Sequence, residues 1–478
     1  MLFNSLHFAL FLPVVFLLYW FAANGKLKLQ NTILLLSSLF FYGCWDRRFL
    51  LLLLFSIFLD YFSGIKIYDA TSHRKKTLWL WLSILTNLAL LAVFKYYNFF
   101  ASSFAEGLSL LGLKTNTVTL EVILPLGISF YTFHGLSYVI DIYKDRIKPE
   151  RNFINYSVFV SFFPLLVAGP IERATHLLPQ LIKEREFNYS KAVDGLRQIL
   201  WGLFKKIVIA DTFAEYVNET FNPSANYSGS TLALGALLFA FQIYADFSGY
   251  SDIAIGTARL FGIDLLRNFA FPYFSRSIAE FWRRWHISLS SWFKDYLYIP
   301  LGGSKGGTWL KIRNTFLVFL VSGFWHGANW TFLAWGFLHA LYIMPSILLN
   351  TNRNHLDMVS SGQYFPTVKD FLSVLLTFVL TTFAWIFFRA TTITDALHYI
   401  SGILSFSLFN KPEILPLAPL WILGIFIIIE WIGREQQYAI ATLGMKWKRP
   451  FRHALYYLII VSLFWFGGKE QLFIYFQF

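Results

Sequence analysis

Apolar residues run along this chain in long blocks, without the alternation of polar and apolar faces that a water-exposed helix shows. The blocks fall near 8–21, 30–42, 49–64, 78–97, 121–140, 153–169, 194–212, 231–258, 314–348, 371–389, 416–432 and 453–467. A perpendicular bilayer crossing takes roughly 20 apolar residues, so the pattern predicts about ten or eleven true spans, with other segments tilted, half-inserted or extended by their flanks. The block 314–348 is too long for one span, and Gly327-Ala328-Asn329 in its middle predicts a break.

Charge then orders the blocks. No positive residue precedes the first one, and Lys26 and Lys28 follow it. A cleaved signal peptide has the opposite polarity, so this segment reads as an uncleaved span with its N-terminus outside. Loops 22–29, 65–77 (Lys66, Arg74, Lys75, Lys76) and 141–152 (Lys144, Arg146, Lys148, Arg151) then fall inside, where basic residues are preferred. A full crossing by 153–169 would put the charged segment 171–193 outside and the loop 213–230, free of Lys and Arg, inside. Making 153–169 re-entrant, broken by Pro164, Gly169 and Pro170, restores the preference and puts the strongly basic 259–313 inside. Non-helical backbone at membrane depth survives only where protein shields it or a wet cavity lies beside it, so a site is expected nearby.

Composition agrees with a polytopic membrane protein. The 478 residues are 56% hydrophobic, 20% aromatic and only 14% charged, with mean hydropathy +0.53. A net charge of +13 borne by short loops fits anionic lipid headgroups and membrane orientation rather than nucleic acid. Cys44 is the single cysteine, which excludes an intrachain disulfide and a cysteine metal cluster. No metal site is expected. Gly302 and Gly307 have P-loop spacing, but Thr308 stands where the phosphate lysine belongs. His-Glu-x-x-His and Gly-x-Ser-x-Gly are absent, so a zinc hydrolase or a serine-elbow esterase has no support.

Two segments carry candidate chemistry. One is Ser322-Gly323-Phe324-Trp325-His326-Gly327-Ala328-Asn329-Trp330, which sets an imidazole within an apolar block where an ionisable group is costly. The other is Glu280-Phe281-Trp282-Arg283-Arg284-Trp285-His286, followed by Ile287 to Gly303 on the inside basic segment. Imidazole can take a proton from a hydroxyl and return it to a leaving group, and an arginine pair suits an anionic head such as cofactor phosphates. Bland readings stand beside these: His326 as a helix-packing histidine, and His286 as an interfacial anchor among Arg and Trp. Asp246 and Asp252, six residues apart, fall on opposite helix faces, and structural polar contacts are their leading reading. Packing is the default for His134 and His339, and Arg389 and Glu430 near span ends read as snorkelling or paired groups.

Phe163-Pro164-Leu165-Leu166-Val167-Ala168-Gly169-Pro170-Ile171-Glu172-Arg173, the run Asp246 to Asp252, Trp282 to Gly303 and Trp325-His326-Gly327 resemble the membrane-bound O-acyltransferase family, and more narrowly its bacterial alginate-acetylating branch. The opening Leu2-Phe3-Asn4-Ser5 and the closing Phe473-Ile474-Tyr475-Phe476-Gln477-Phe478 join the resemblance, which covers essentially the whole length. It implies an all-α polytopic membrane protein of one domain over 1–478, its motif core about 121–348. Tilted helices would ring a thin centre crossed by a tunnel. It implies catalytic roles for His326 and His286, and donor or substrate contacts from Arg283, Arg284, Trp285, Trp325, Asn329 and Trp330. Asp246, Asp252 and Glu172 would support the site. An acetyl thioester, acetyl-CoA above all, would be the donor, with no permanently bound cofactor. Acetyl would pass to an extracytoplasmic polysaccharide with an SGNH-hydrolase-like partner, at a bacterial inner membrane. D-alanyl transfer to teichoic acids, and a transporter without enzymatic activity, are the rival readings; a carrier-protein gene nearby would favour the first, and the absence of repeated halves counts against the second.

Overall fold

A computed structural model describes residues 1–113, 119–120, 123–166, 169–222, 224–468, 471 and 473–474. It is helical throughout, with no strand among the described residues. The α-helices are α1 (Leu6–Leu17), α2 (Leu27–Gly43), α3 (Arg47–Tyr68), α4 (His73–Leu91), α5 (Tyr97–Leu110), α6 (Ile128–Tyr143), α7 (Phe153–Ser161), α8 (Phe163–Leu166), α9 (Ala174–Ile182) and α10 (Tyr189–Leu203). They continue as α11 (Thr212–Phe221), α12 (Gly229–Leu260), α13 (Ile278–Arg284), α14 (Ile287–Phe293), α15 (Gly307–His326), α16 (Trp330–Leu348), α17 (Val368–Arg389), α18 (Ile393–Ile403), α19 (Leu417–Gly433) and α20 (Arg449–Phe466).

Among the described residues, five helical stretches are long and apolar enough to cross a membrane: Arg47–Tyr68, His73–Leu110, Gly229–Leu260, Trp330–Leu348 and Val368–Arg389. Leu6–Ala22, Phe153–Leu166 and Leu417–Gly433 are shorter apolar helices. This is fewer than the ten or eleven expected, for local reasons. The helix α2 has 17 residues, while α15 carries Lys311 and Arg313 and α20 opens on Arg449, Arg452 and His453.

Chain packing divides the molecule into two compact units, Met1–Ala192 with Thr257–Leu266, and Val193–Gly256 with Arg267–Phe478. In the first, the segment expected to be re-entrant is a broken helix. Asn152 caps α7 by accepting from the amides of Ile154 and Asn155, the chain turns at Phe162, and α8 ends at Leu166. At 1.5 Å per residue the stretch reaches only about 21 Å, short of the roughly 30 Å hydrocarbon core. Residues 167–168 lie outside the described residues. Buried Asp60 on α3 accepts from Ser83 (2.6 Å) and Asn87 (2.9 Å) on α4. Gly135 on α6 faces it closely enough that a Cβ there would meet the carboxylate at 1.8 Å.

In the second unit the long apolar block breaks where the sequence predicts. Gly327 is extended, and Asn329 caps α16 by accepting from the Thr331 amide at 3.0 Å. The helices α15 and α16 cross closely because Gly323 and Gly336 carry no side chain. A Cβ at either would stand 2.3 Å from a carbonyl oxygen of the other helix, Phe332 or Phe319. Between α16 and α17, the loop 349–367 is tied down by arginines that bond only its backbone. Arg283 donates to the carbonyls of Asn352 and His355, and Arg276 and Arg284 to that of Asp357. Arg434 holds those of Val359, Ser360 and Gln363.

Candidate active site

His286 and His326 come together in the second unit. Their ring centroids are 6.4 Å apart and both side chains are buried. Each is placed by local chain geometry. His326 is the last residue of α15, at the break that Gly327 and Asn329 impose. His286 caps α14 with φ 43° and ψ 55°, a left-handed conformation that costs a residue with a Cβ about 1–2 kcal/mol. Asn268 holds it there. Its carbonyl accepts from the Ile287 amide (2.9 Å), its side chain accepts from Ser288 (2.6 Å), and its amide donates to Ser251 on α12 (3.0 Å). Strain kept in place by several bonds at a cleft is a functional signature.

Phe247 packs edge-on against His286 at 4.6 Å, and Trp325 packs beside both histidines, 6.1 Å from His286 and 4.8 Å from His326. Trp335 and Phe388 enclose His326 at 5.2 and 5.4 Å. Neither ring nitrogen of His286 has a hydrogen-bonding partner among the described residues. Burial pushes its pKa down to about 3, so the ring stays neutral and able to accept a proton.

A cleft of about 730 Å³ opens between the α13–α14 segment and the α15–α16 hairpin; Ile287, next to His286, is in its lining, while the two histidines lie behind it. Arg283, Lys294, Lys311 and Arg353 line it, and no carboxylate does. Its size falls in the roughly 300–1,000 Å³ range of small-molecule sites, and its charge selects an anion. Trp282 and Phe319 form part of its wall.

The expected donor contacts separate. Arg283 faces the cleft, but Arg284 turns away: it pairs with buried Glu280 at 2.8 Å. Trp285 does not line the cleft either; it is enclosed by Phe269, Phe281 and Trp385 at 5.0, 5.5 and 4.9 Å. Arg284 points elsewhere because adjacent helical positions differ by about 100°, and Trp285 because it is the extended cap that ends α13. Trp330 is 55% exposed rather than part of a pocket wall, and the Asn329 amide reaches the Thr391 carbonyl (2.9 Å). Lys294 and Lys311 belong to the basic segment visible in the sequence, but Arg353 lay in an unmotivated loop and was missed.

Asp246 and Asp252 do not form a joint site. The π-helical turn Phe204–Asp211 presents two consecutive lysines to α12, Lys205 to Asp252 at 2.5 Å and Lys206 to Asp246 at 2.9 Å. Lys206 also meets Asp211 at 2.7 Å, and Asp246 accepts from the Ile474 amide at 2.7 Å. Glu172 lies in the first unit, fully buried, accepting from the Leu266 amide (2.6 Å) and meeting His176 at 2.8 Å. Among the described residues, no group of three His, Cys, Asp or Glu side chains is placed to hold a metal ion.

Glu172 raises the pKa of half-buried His176, so the bond stabilises the fold fully below the unfolded histidine value near 6.5 and fades as pH rises through the folded value. Thermal melting of the purified protein is expected to lose a component as pH rises above this window. His176→Gln should remove that component; an unchanged pH profile in the variant would show that the pair contributes nothing.

Residues 144–388 match the family described as MBOAT, membrane-bound O-acyltransferase. A peptidoglycan O-acetyltransferase of Helicobacter pylori is 35% identical across 100% of this chain and 98% of its own length. The chain belongs to the membrane-bound O-acyltransferase family. It is a multi-pass membrane enzyme that transfers acyl groups. A protein of Pseudomonas putida named "Probable alginate O-acetylase AlgI" is 35% identical over 98% of each chain. The teichoic acid D-alanyltransferase of Streptococcus thermophilus is 32% identical over 45% of this chain and 55% of its own.

Proposed function

We propose that this O-acyltransferase moves acetyl groups from a thioester donor, acetyl-CoA, at the cytoplasmic face of a bacterial inner membrane to an extracytoplasmic polysaccharide. The observation that carries this reading is the cationic cleft, without a carboxylate among the described residues, in the same helical unit as two buried imidazoles that pack close together. The donor's phosphates lie against Lys294, Lys311, Arg353 and Arg283, and its thioester points inward. His326 takes the proton from an acceptor hydroxyl as the oxygen attacks the acetyl carbon. The C–O bond forms, the C–S bond breaks, and the proton passes to the departing thiolate. His286, neutral, orients the thioester or hands the proton on. Trp325 packs against both rings. An SGNH-hydrolase-like partner outside the membrane completes delivery through the tunnel. Acetyl is preferred over D-alanyl because the acetyl-transferring relatives match nearly the whole chain, whereas the D-alanyl relative matches 45% of it.

The test is discharge of acetyl-CoA by membranes containing the full chain. Lys311→Ala with Arg353→Ala is expected to raise KM for acetyl-CoA about tenfold or more, the weight of lost charge-assisted contacts, with kcat little changed. An unchanged KM would remove the cleft from donor binding.

A further inference from the structure

A cluster of aromatic rings runs from the cationic cleft to His326. Trp282 and Phe319, with ring centroids 5.0 Å apart, form its cleft side. Trp335 lies behind, 5.6 Å from Trp282 and 5.2 Å from His326. The rear of the cluster is fully buried. Trp335 stacks on Trp385 at 5.7 Å, and both are at most 1% exposed.

Trp282 is held rather than left to swing. Its indole N–H donates to Nδ1 of His339 at 3.2 Å, across 57 residues. His339 is fully buried, lies parallel to Phe281 (3°) and nearly so to Phe319 (20°), and meets Trp335 edge-on at 4.9 Å. With Nδ1 accepting, the ring carries its proton on Nε2, which finds no partner among the described residues. An unpaired buried donor is tolerated here while the other nitrogen fixes a tryptophan at the edge of a cleft.

We infer that Trp282, with Phe319 beside it and His339 as its positioning residue, is the stop that restricts the transferred acyl group to two carbons. The inference rests on the acyl-transfer reading above. A thioester seated in the cleft with its carbonyl turned toward His326 sets its acyl tail against these rings. Acetyl ends in a methyl group, whereas each further methylene must push into a close-packed aromatic cluster whose rear is buried. Discrimination by one methylene in an apolar pocket is worth about tenfold or more.

The experiment compares discharge of acetyl-, propionyl- and butyryl-CoA by membranes carrying equal amounts of full-length wild type or variant. Wild type should prefer acetyl-CoA. Trp282→Ala and Phe319→Ala should each raise the butyryl-to-acetyl ratio of kcat/KM about tenfold or more. His339→Phe, which retains a stacked ring but no acceptor, should shift the ratio in the same direction by less; a merely structural histidine would depress all three donors equally. Ratios at the wild-type value in both alanine variants overturn the inference. So does loss of all transfer in both at normal membrane levels, since a length stop is dispensable for acetyl itself. Failure of wild type to discharge any of the three would instead sink the donor reading beneath it.

Discussion

Replacing His326 with alanine is expected to abolish ester-linked acetyl on the host's surface polysaccharide while the protein remains at its normal level in the membrane. A positioned general base contributes about 10²- to 10⁴-fold, enough to bring modification below detection. The side chain also fills space, being only 4% exposed and packed on Trp335 and Phe388 at 5.2 and 5.4 Å. His326→Gln is therefore the companion variant, because it fills most of that volume but cannot act as the base. Both variants should fail alike. Full acetylation by the glutamine variant would show that His326 serves packing, and unchanged acetyl in either, at matched expression, would remove it from the chemistry.

Lys206→Met should be the most damaging substitution away from the histidines. One ammonium serves Asp211 at 2.7 Å and Asp246 at 2.9 Å, and its side chain is 1% exposed. It also donates to the Gln471 carbonyl at 3.2 Å. Removing it strands two buried carboxylates, a loss of about 3–5 kcal/mol, against a total stability of roughly 5–15 kcal/mol for a typical protein. Thermal melting in detergent should show a large fall in Tm, and the membrane level should drop with it. Lys206→Met combined with Asp246→Leu should recover part of the loss, because one stranded charge has gone. A single variant that melts like wild type would mean that water or a proton already compensates these groups.

How much of this was legible in the sequence follows from range. The break at Gly327-Ala328-Asn329 and the burial of His326 are local properties of one apolar block, and both were visible. The broken segment after Asn152 was visible too, through Pro164 and the placement of charge. Contacts between distant positions were not. Nothing in the residues around His339 points to Trp282, and Lys205 and Lys206 look like ordinary basic residues until the π-helical turn aims them at α12. Arg284 and Trp285 adjoin Arg283 and His286 in sequence, yet helical rotation sends Arg284 to Glu280 and the extended cap after α13 sends Trp285 to an aromatic core. Trp330 follows the same lesson, since one residue past the cap is enough to turn it outward.

The arginine ties on loop 349–367 have a consequence for how such an enzyme changes over time. Arg276, Arg283, Arg284 and Arg434 grip main-chain oxygens, which every residue type supplies. The rim at Asn350, Asn352 and Arg353 can therefore exchange its side chains while its path stays put. The anchors are constrained and the anchored stretch is free to drift, so the mouth of the cleft can be retuned to a different donor one substitution at a time without rebuilding the loop.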